Sequence, residues 1–524
     1  MSGTVDMRAP AAAGRNVAAG RRGPRRSGRG LVAGLCLLAG QAAAQPVGSE
    51  FQVNTVTASA QVRPALATDG AGNFVVVWRS LTVGYVIRAQ RYNGSGVAQG
   101  SEFQPDTVHG SQGSPAVAAD GSGNFVVAWE GNSDGSGFGI FARRYDSGGA
   151  PLSGVFQVNT YTTNPQARPA VAADATGSFV VVWQSRNQDG DYYGVFGKRY
   201  DSAGAPAGSE FQVNSYTTAN QYLSRVAADP AGNFIVVWSS RNQDGSGQGV
   251  FGQRYDSGGV AQGTEFQVNT YTTFGQRVPV VATDASGDFV VAWDSGGDGS
   301  GYGIFGRRYD SSGVPQGPQF QVNTYATGNQ VYPAVGSAGS GDFAVTWMSN
   351  TQDGSSYGVF AQRYTTSGAA QGAEFQVNTY TTSHQRFPSI GVDGAGQFVV
   401  TWQSYTQDGS HYGVFAQRFA SLVPTTTTST TTTTSTTTST TTTSTTTTST
   451  TTTTTSTTTT TVPTTTTSTT SSTTSTTTTT STTTTTPPPS IPTTSPLGAV
   501  LLVLLVGLRL GWTGRRHPDP AGAR

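Results

Sequence analysis

From residue 51 onward, short apolar runs alternate with turn-rich polar segments, and the pattern keeps returning. The copy between residues 224 and 272 shows it most plainly. "SRVAAD" (224–229) reads as a first strand. "DPAG" (229–232) is a tight turn with Asp first and Gly last, the commonest type I pattern. "NFIVVWSS" (233–240) is a continuous apolar, β-branched run, which predicts a strand covered on both faces. "RNQDGSGQ" (241–248) is a longer polar loop, and "GVFGQRYD" (249–256) is a third strand. "DSGGVAQGTE" (256–265) then turns the chain into "FQVNTYT" (266–272), the fourth. The repeat region shows no helical period.

Seven copies follow one another. "FQVN" or a variant begins at Phe51, Phe103, Phe156, Phe211, Phe266, Phe320 and Phe375. One tryptophan per copy follows: Trp78, Trp129, Trp183, Trp238, Trp293, Trp347 and Trp402. Four-stranded units in tandem, with the second strand buried on both faces, predict an all-β, seven-bladed propeller. The tryptophans are expected to fill the wedges between blades as structural core. A β-solenoid and a string of sandwich domains are the competing folds, but solenoid repeats run shorter and sandwich domains longer. The phase of the repeats predicts how the ring shuts. Each "FQVN" should pair with the preceding "RYD" strand as the outer strand of that blade. The first copy (51–55) has no blade before it, and the last blade ends at "GVFAQRF" (413–419) with no outer strand after it. Pairing these two segments would close the ring and remove an open sheet edge.

The flanks differ sharply in composition. Arg15, Arg21, Arg22, Arg25, Arg26 and Arg29 precede a short apolar run, "LVAGLCLLAG" (31–40), and "QAAAQP". This is the layout of a signal peptide over 1–44, with cleavage expected after Ala44, and the arginine pairs leave a twin-arginine route beside the general one. Cys36 is the only cysteine, and Leu35 before it argues against a lipoprotein anchor. The exported chain would then hold no disulfide. Residues 424–495 are almost all Thr, Ser and Pro, with too few apolar side chains for a core, and read as a mucin-like stalk. Residues 496–512 form a short apolar segment for a transmembrane or sorting helix, and 513–524 a basic cytoplasmic tail.

Charge and motif content narrow the function. Residues 46–423 carry 19 Lys and Arg against 27 Asp and Glu, a net of −8, which lacks the basic footprint of a nucleic-acid binder. The four histidines, His109, His384, His411 and His517, do not recur in register, and no metalloprotease, P-loop or nucleophile-elbow motif is present. A glycan-acting propeller would want an acid pair or an arginine cluster at its axis. The recurring arginine of "RYD" lies on the third strand instead, where it is expected to meet acids or carbonyls. The loop face carries the recurring polar residues that suit a ligand: Asp134, Asp189, Asp244, Asp298, Asp353 and Asp408, with Tyr161, Tyr216, Tyr271, Tyr325 and Tyr380. Glutamines at 61, 112, 166, 221, 276, 330 and 385 stand just before the first strand of each unit. Calcium needs six to eight oxygens, and each loop offers a single Asp except where Asp191 joins Asp189. No cofactor is expected, with calcium at Asp189 and Asp191 the only alternative.

The unit as a whole, "QDGSGxGVFxQRYD" through "EFQVNTYTT" to "FVVVW", resembles a repeat of large secreted bacterial surface and adhesin-like proteins. "SIPTTSPLG" followed by the apolar run, Arg515 and Arg516 resembles IPTL/PEP-type sorting tails, although Thr494 stands where that motif has Leu. These resemblances imply a cell-envelope location and a sorting protease that acts on the tail; they imply no defined activity. The expected role is non-catalytic binding or adhesion toward an extracellular glycan or protein, with contact to the membrane through the C-terminal helix. A glycan-acting enzyme and a purely structural envelope protein are the alternatives.

Overall fold

The computed structural model describes residues 44–423, apart from residues 83, 109 and 133. The signal segment up to residue 43, the stalk, the apolar run and the basic tail lie outside the described residues. Within these, the chain forms seven four-stranded antiparallel sheets and no helix. The seven-bladed propeller is therefore the observed architecture.

Six blades run inner to outer in chain order, and the seventh takes its outer strand from the other end of the chain. The inner strands are Gln61–Thr68, Gln112–Ala119, Gln166–Ala173, Gln221–Ala228, Gln276–Thr283, Gln330–Ser337 and Gln385–Val392. Phe51–Gln52 pairs with Tyr412–Phe419 in the register Phe51↔Ala416 and Gln52↔Phe415. Val53 and Val47 extend the seam by donating to the carbonyls of Val414 and Arg418, each at 2.8 Å. The ring closes by the pairing that the phase of the repeats predicts.

The apolar second strands are buried on both faces, as their composition demands. In blade 4, Phe234, Val236 and Trp238 pack against blade 3. Ile235 and Val237 pack against blade 5. Every one of the seven tryptophans is fully buried. Aromatic rings fill the outer half of each wedge; Tyr255 stacks on Phe234 at 4.7 Å and tilts against Phe211, the outer-strand residue of blade 3, at 5.4 Å.

Two strand boundaries depart from the sequence pattern. The fourth inner strand begins at Gln221 rather than Ser224, because a bulge between Tyr222 and Arg225 lets the chain pair on both sides of it. The recurring glutamine is thus the first residue of each inner strand, not a residue ahead of it. The "FQVN" outer strands pair over two residues rather than five in every blade but the first, whose outer strand runs Ala98–Phe103: in blade 4 only Phe266 and Gln267 pair as strand residues. Val268 adds one bond, and then the Asn269 side chain takes over, its Oδ1 accepting from the Val250 amide at 2.7 Å. At the seam, Ala44 packs among the buried residues of the last blades, so the packed unit starts two residues before the expected boundary at 46.

Candidate functional site

On the loop face, the recurring polar residues form sutures between blades. Asn269 Nδ2 donates to the Tyr271 carbonyl at 3.1 Å and to Gln276 Oε1 at 3.2 Å, which ties the end of blade 4 to the first residue of blade 5. The same pattern recurs at Asn159, Asn214, Asn323 and Asn378. Gln61, Gln166, Gln221, Gln276, Gln330 and Gln385 are fully buried and Gln112 nearly so; Gln61 instead accepts from the Trp78 indole at 3.1 Å and Gln112 from the Ile87 amide at 2.8 Å. The glutamate before "FQVN" is a second suture. Glu210 Oε2 accepts from the Thr160 amide at 2.6 Å, and Glu50 does the same for Thr379 at 2.6 Å across the seam.

The candidate loop residues belong to this framework. Asp134, Asp189, Asp244, Asp298, Asp353 and Asp408 are half-buried, and each accepts the amide two residues on. Asp189 and Asp244 also accept from Asn214 and Asn269 at 3.2 Å. Each folds back over a glycine that opens the third strand; a Cβ on Gly249 would lie 2.6 Å from Asp244 Oδ2. Asp191 accepts from the Ala219 amide at 2.8 Å, so its carboxylate and that of Asp189 serve separate local bonds. Among the described residues no group of three or more His, Cys, Asp or Glu gathers to hold a metal ion. Tyr161, Tyr216, Tyr325 and Tyr380 are half-buried and Tyr271 is exposed; their carbonyls carry the contacts to the asparagines. The third-strand arginines meet carbonyls, as expected. Arg199 reaches Ser257 and Gly258 of the next blade, and Arg418 reaches Gly94 and Ser95 across the seam.

The axis is different. Each inner strand carries a bulge, and the residue on it has a positive φ: Arg63, Ser114, Arg168, Leu223, Val278, Tyr332 and Phe387, at 43° to 57°. A bulge inserts one extra residue and re-aims its side chain. Here all seven point into a central cavity of about 290 Å³. Four bulge amides are held by the preceding blade: Arg63 by Gln403, Arg168 by Glu130, Leu223 by Gln184 and Tyr332 by Asp294. The left-handed conformation of these non-glycine residues costs about 1–3 kcal/mol each, so the bulge is held rather than relaxed.

Around this cavity the sevenfold equivalence fails. The bulge residues differ in kind from blade to blade, although the next residue is proline in every blade but the fourth. Blade 4 has Ser224 there, followed by Arg225 where the others have Ala, Val or Ser. Arg63, Arg168 and Arg225 thus line one cavity. Burial, joined by repulsion from Arg168 and Arg63, lowers the Arg225 guanidinium to about 10. Arg63 is lowered by burial and then by Arg168 and Arg79. An arginine cluster at the axis is what the sequence pattern had assigned to no residue. The legible signal was the departure of "QYLSRVAAD" from the other six inner strands.

Two acids stand beside the cavity. Glu130 accepts from the Ser114 hydroxyl at 3.0 Å and from the Arg168 amide at 2.8 Å. Asp294 is wholly buried and paired with Arg277 at 3.0 Å, whose guanidinium lies over Tyr302. Burial outweighs the opposing pull of Arg277 and the Tyr332 amide, and the Asp294 carboxyl rises to about 6. A raised folded pKa means that between about pH 4 and 6 the group ionises first in the unfolded chain. Its contribution to stability is complete below that window and is lost as the pH rises through it. Asp294→Asn should therefore remove a fall in stability between pH 4 and 6, read from urea midpoints across that range. A variant that keeps the wild-type slope would contradict the assignment.

No family model matches the chain, and no curated protein matches it. Solved structures do align with it. A protein of unknown function from Dyadobacter fermentans DSM 18053 shares 10% identity at a TM-score of 0.46, over 72% of this chain and 98% of its own. An α-L-arabinanase of Penicillium chrysogenum shares 13% at 0.42, over 72% and 99%. A polysaccharide lyase acting on ulvan shares 12% at 0.44, over 71% and 95%. At these identities and scores no activity carries over to this chain.

Proposed function

We propose that this chain is an exported, envelope-anchored propeller that binds a polar extracellular ligand, a glycan or a protein, without turning it over. The observation that carries the reading is where the repeat breaks. Asp, Tyr, Asn, Gln and Glu of the loop face recur because blade joins recur. The axial cavity presents a set of side chains that no symmetry of the ring requires, and concave sites with a few convergent polar groups are where ligands bind. Its position among the bulge residues, the third of each inner strand, puts it toward the loop face. The arginine cluster is the feature a glycan-acting propeller would also want, so the choice between binding and catalysis rests on the acids nearby, and these favour binding. Asp294 has no exposed surface to offer a substrate, and Glu130 is engaged by a hydroxyl and an amide. The signal-like N-terminus, the Thr-rich stalk and the sorting-like tail support the location.

The test is an array of neutral and acidic oligosaccharides probed with the full chain, with and without chelator, followed by mass spectrometry of the bound sugars. Retention of intact ligand, unchanged by chelator, is the expected result. Cleaved products would instead support a glycan-acting enzyme. Silence on a broad array, together with no protein captured, would leave a structural role in its place.

A further inference from the structure

We propose that the axial cavity grips the carboxylate or sulfate group of an acidic sugar between Arg63, Arg168 and Arg225. The inference rests on the reading of this cavity as the binding site and gives that site its ligand chemistry.

Positive charge outweighs negative charge at the cavity. Three guanidinium groups from blades 1, 3 and 4 share one small cavity. Guanidinium stays protonated in proteins, so the three repel at any working pH. Among the described residues, the ion pairs join Arg88 to Glu102 and Arg277 to Asp294, and none reaches this trio. Glu130 turns its two oxygens to Ser114 and to the Arg168 amide. Arg225 donates only to the carbonyl of its neighbour Ser224, at 2.9 Å. Glu130 offsets part of the charge on Arg63, but one carboxylate faces three guanidinium groups; the excess positive charge costs stability, and an oxyanion placed among them would relieve that cost. Planar donor forks match carboxylate and sulfate oxygens in pairs.

The fold does not need Arg225. Its equivalents in the other blades are Ala65, Ala116, Ala170, Val280, Ala334 and Ser389. Six blades close the same bulge with a small residue there. The arginine is an addition to the framework, and Ser224 beside it replaces the proline found elsewhere.

Two aromatic rings distinguish a sugar from a bare ion. Tyr332 and Phe387 meet edge to face at 4.9 Å on the same wall, with the Arg63 guanidinium 4.9 Å above the Phe387 ring. Tyr332 keeps 40% of its surface exposed. Aromatic rings give the C–H faces of a pyranose an apolar surface, and the arginines give its acidic substituent a charge partner. A cavity of about 290 Å³ is at the small end for ligand sites, room for one sugar unit and too narrow for a segment of folded protein.

The experiment follows melting of the full chain with inorganic sulfate, D-glucuronate, D-glucose and tetraglutamate peptide as probes. Wild type is compared with Arg225→Ala, Arg168→Gln and the surface control Arg241→Ala. Glucuronate and sulfate should raise the wild-type melting temperature by about 2–4 °C when well above their dissociation constants. Glucose should not. Arg225→Ala should bind glucuronate at least tenfold more weakly and, with repulsion relieved, melt no lower than wild type without ligand. Arg168→Gln should weaken glucuronate too, and Arg241→Ala should match wild type. Equal shifts in Arg225→Ala and wild type would overturn the proposal, since sulfate stabilises any protein by exclusion. A tetraglutamate shift that depends on Arg225, with none from glucuronate, would overturn the sugar assignment in favour of an acidic protein. Neutral array ligands that bind wild type and Arg225→Ala alike would keep the binding function and reject only the anion.

Discussion

Trp238→Ala is expected to lower stability by about 3–5 kcal/mol, the cost of deleting a large aromatic from a packed core. Trp238 has no exposed surface. It belongs to one buried cluster with Ala170, Ala172, Val180, Val182, Val195 and Val213 of blade 3, so the loss would open a hole between two blades rather than within one. A closed ring limits how far those blades can move to fill it. The cavity should therefore remain and carry its full cost. Trp238→Phe keeps part of the volume and should cost less than half as much. Guanidinium unfolding of the three proteins gives the comparison. An alanine variant within about 1 kcal/mol of wild type would mean that the wedge collapses freely, and that the tryptophans do not set the spacing of the blades.

Deleting residues 46–54 should open the ring. The edge of Tyr412–Phe419 would lose its pairing to Phe51 and Gln52 and its bond from Val53. The Val414 amide would lose Asn54 Oδ1 at 2.7 Å, and Thr379 and Gln407 would lose Glu50. At about 1 kcal/mol per hydrogen bond, with Val53 lost from the core as well, several kcal/mol go together. The bared edge is a template for another chain. Sedimentation should show oligomers in place of a single species, and unfolding should begin at the last blade. A monomeric deletion variant with an unchanged melting curve would show that the seam does not hold the ring.

The ring was readable because its signals repeat. Seven tryptophans in step, a second strand apolar on both faces, one unmatched "FQVN" at the start and one blade without an outer strand at the end specify blades, core and seam without reference to any ligand. The joins were harder to read. Asn269 and Glu210 look like ordinary polar strand ends, and only their positions in space show that each binds the neighbouring blade. The axial cavity was hidden for a more specific reason. An extra residue in each inner strand shifts side-chain direction by one position, so a period-two reading turns the bulge residue away from the axis. Arg63, Arg168 and Arg225 therefore passed as unremarkable strand arginines. The loop-face Asp and Tyr residues drew attention because they recur, yet recurrence in a ring most simply reflects the ring's own joins.

The central claim is that ligand recognition sits where the blades cease to be equivalent. Binding of the full chain to an oligosaccharide array tests it, comparing Arg63→Ala/Arg225→Ala with Tyr216→Ala/Tyr271→Ala. The account predicts that the axial pair abolishes binding and the loop-face pair leaves it within about twofold of wild type, under 0.5 kcal/mol. Loss of binding in the tyrosine variant, with the arginine variant unaffected, would contradict it and move the site to the loops.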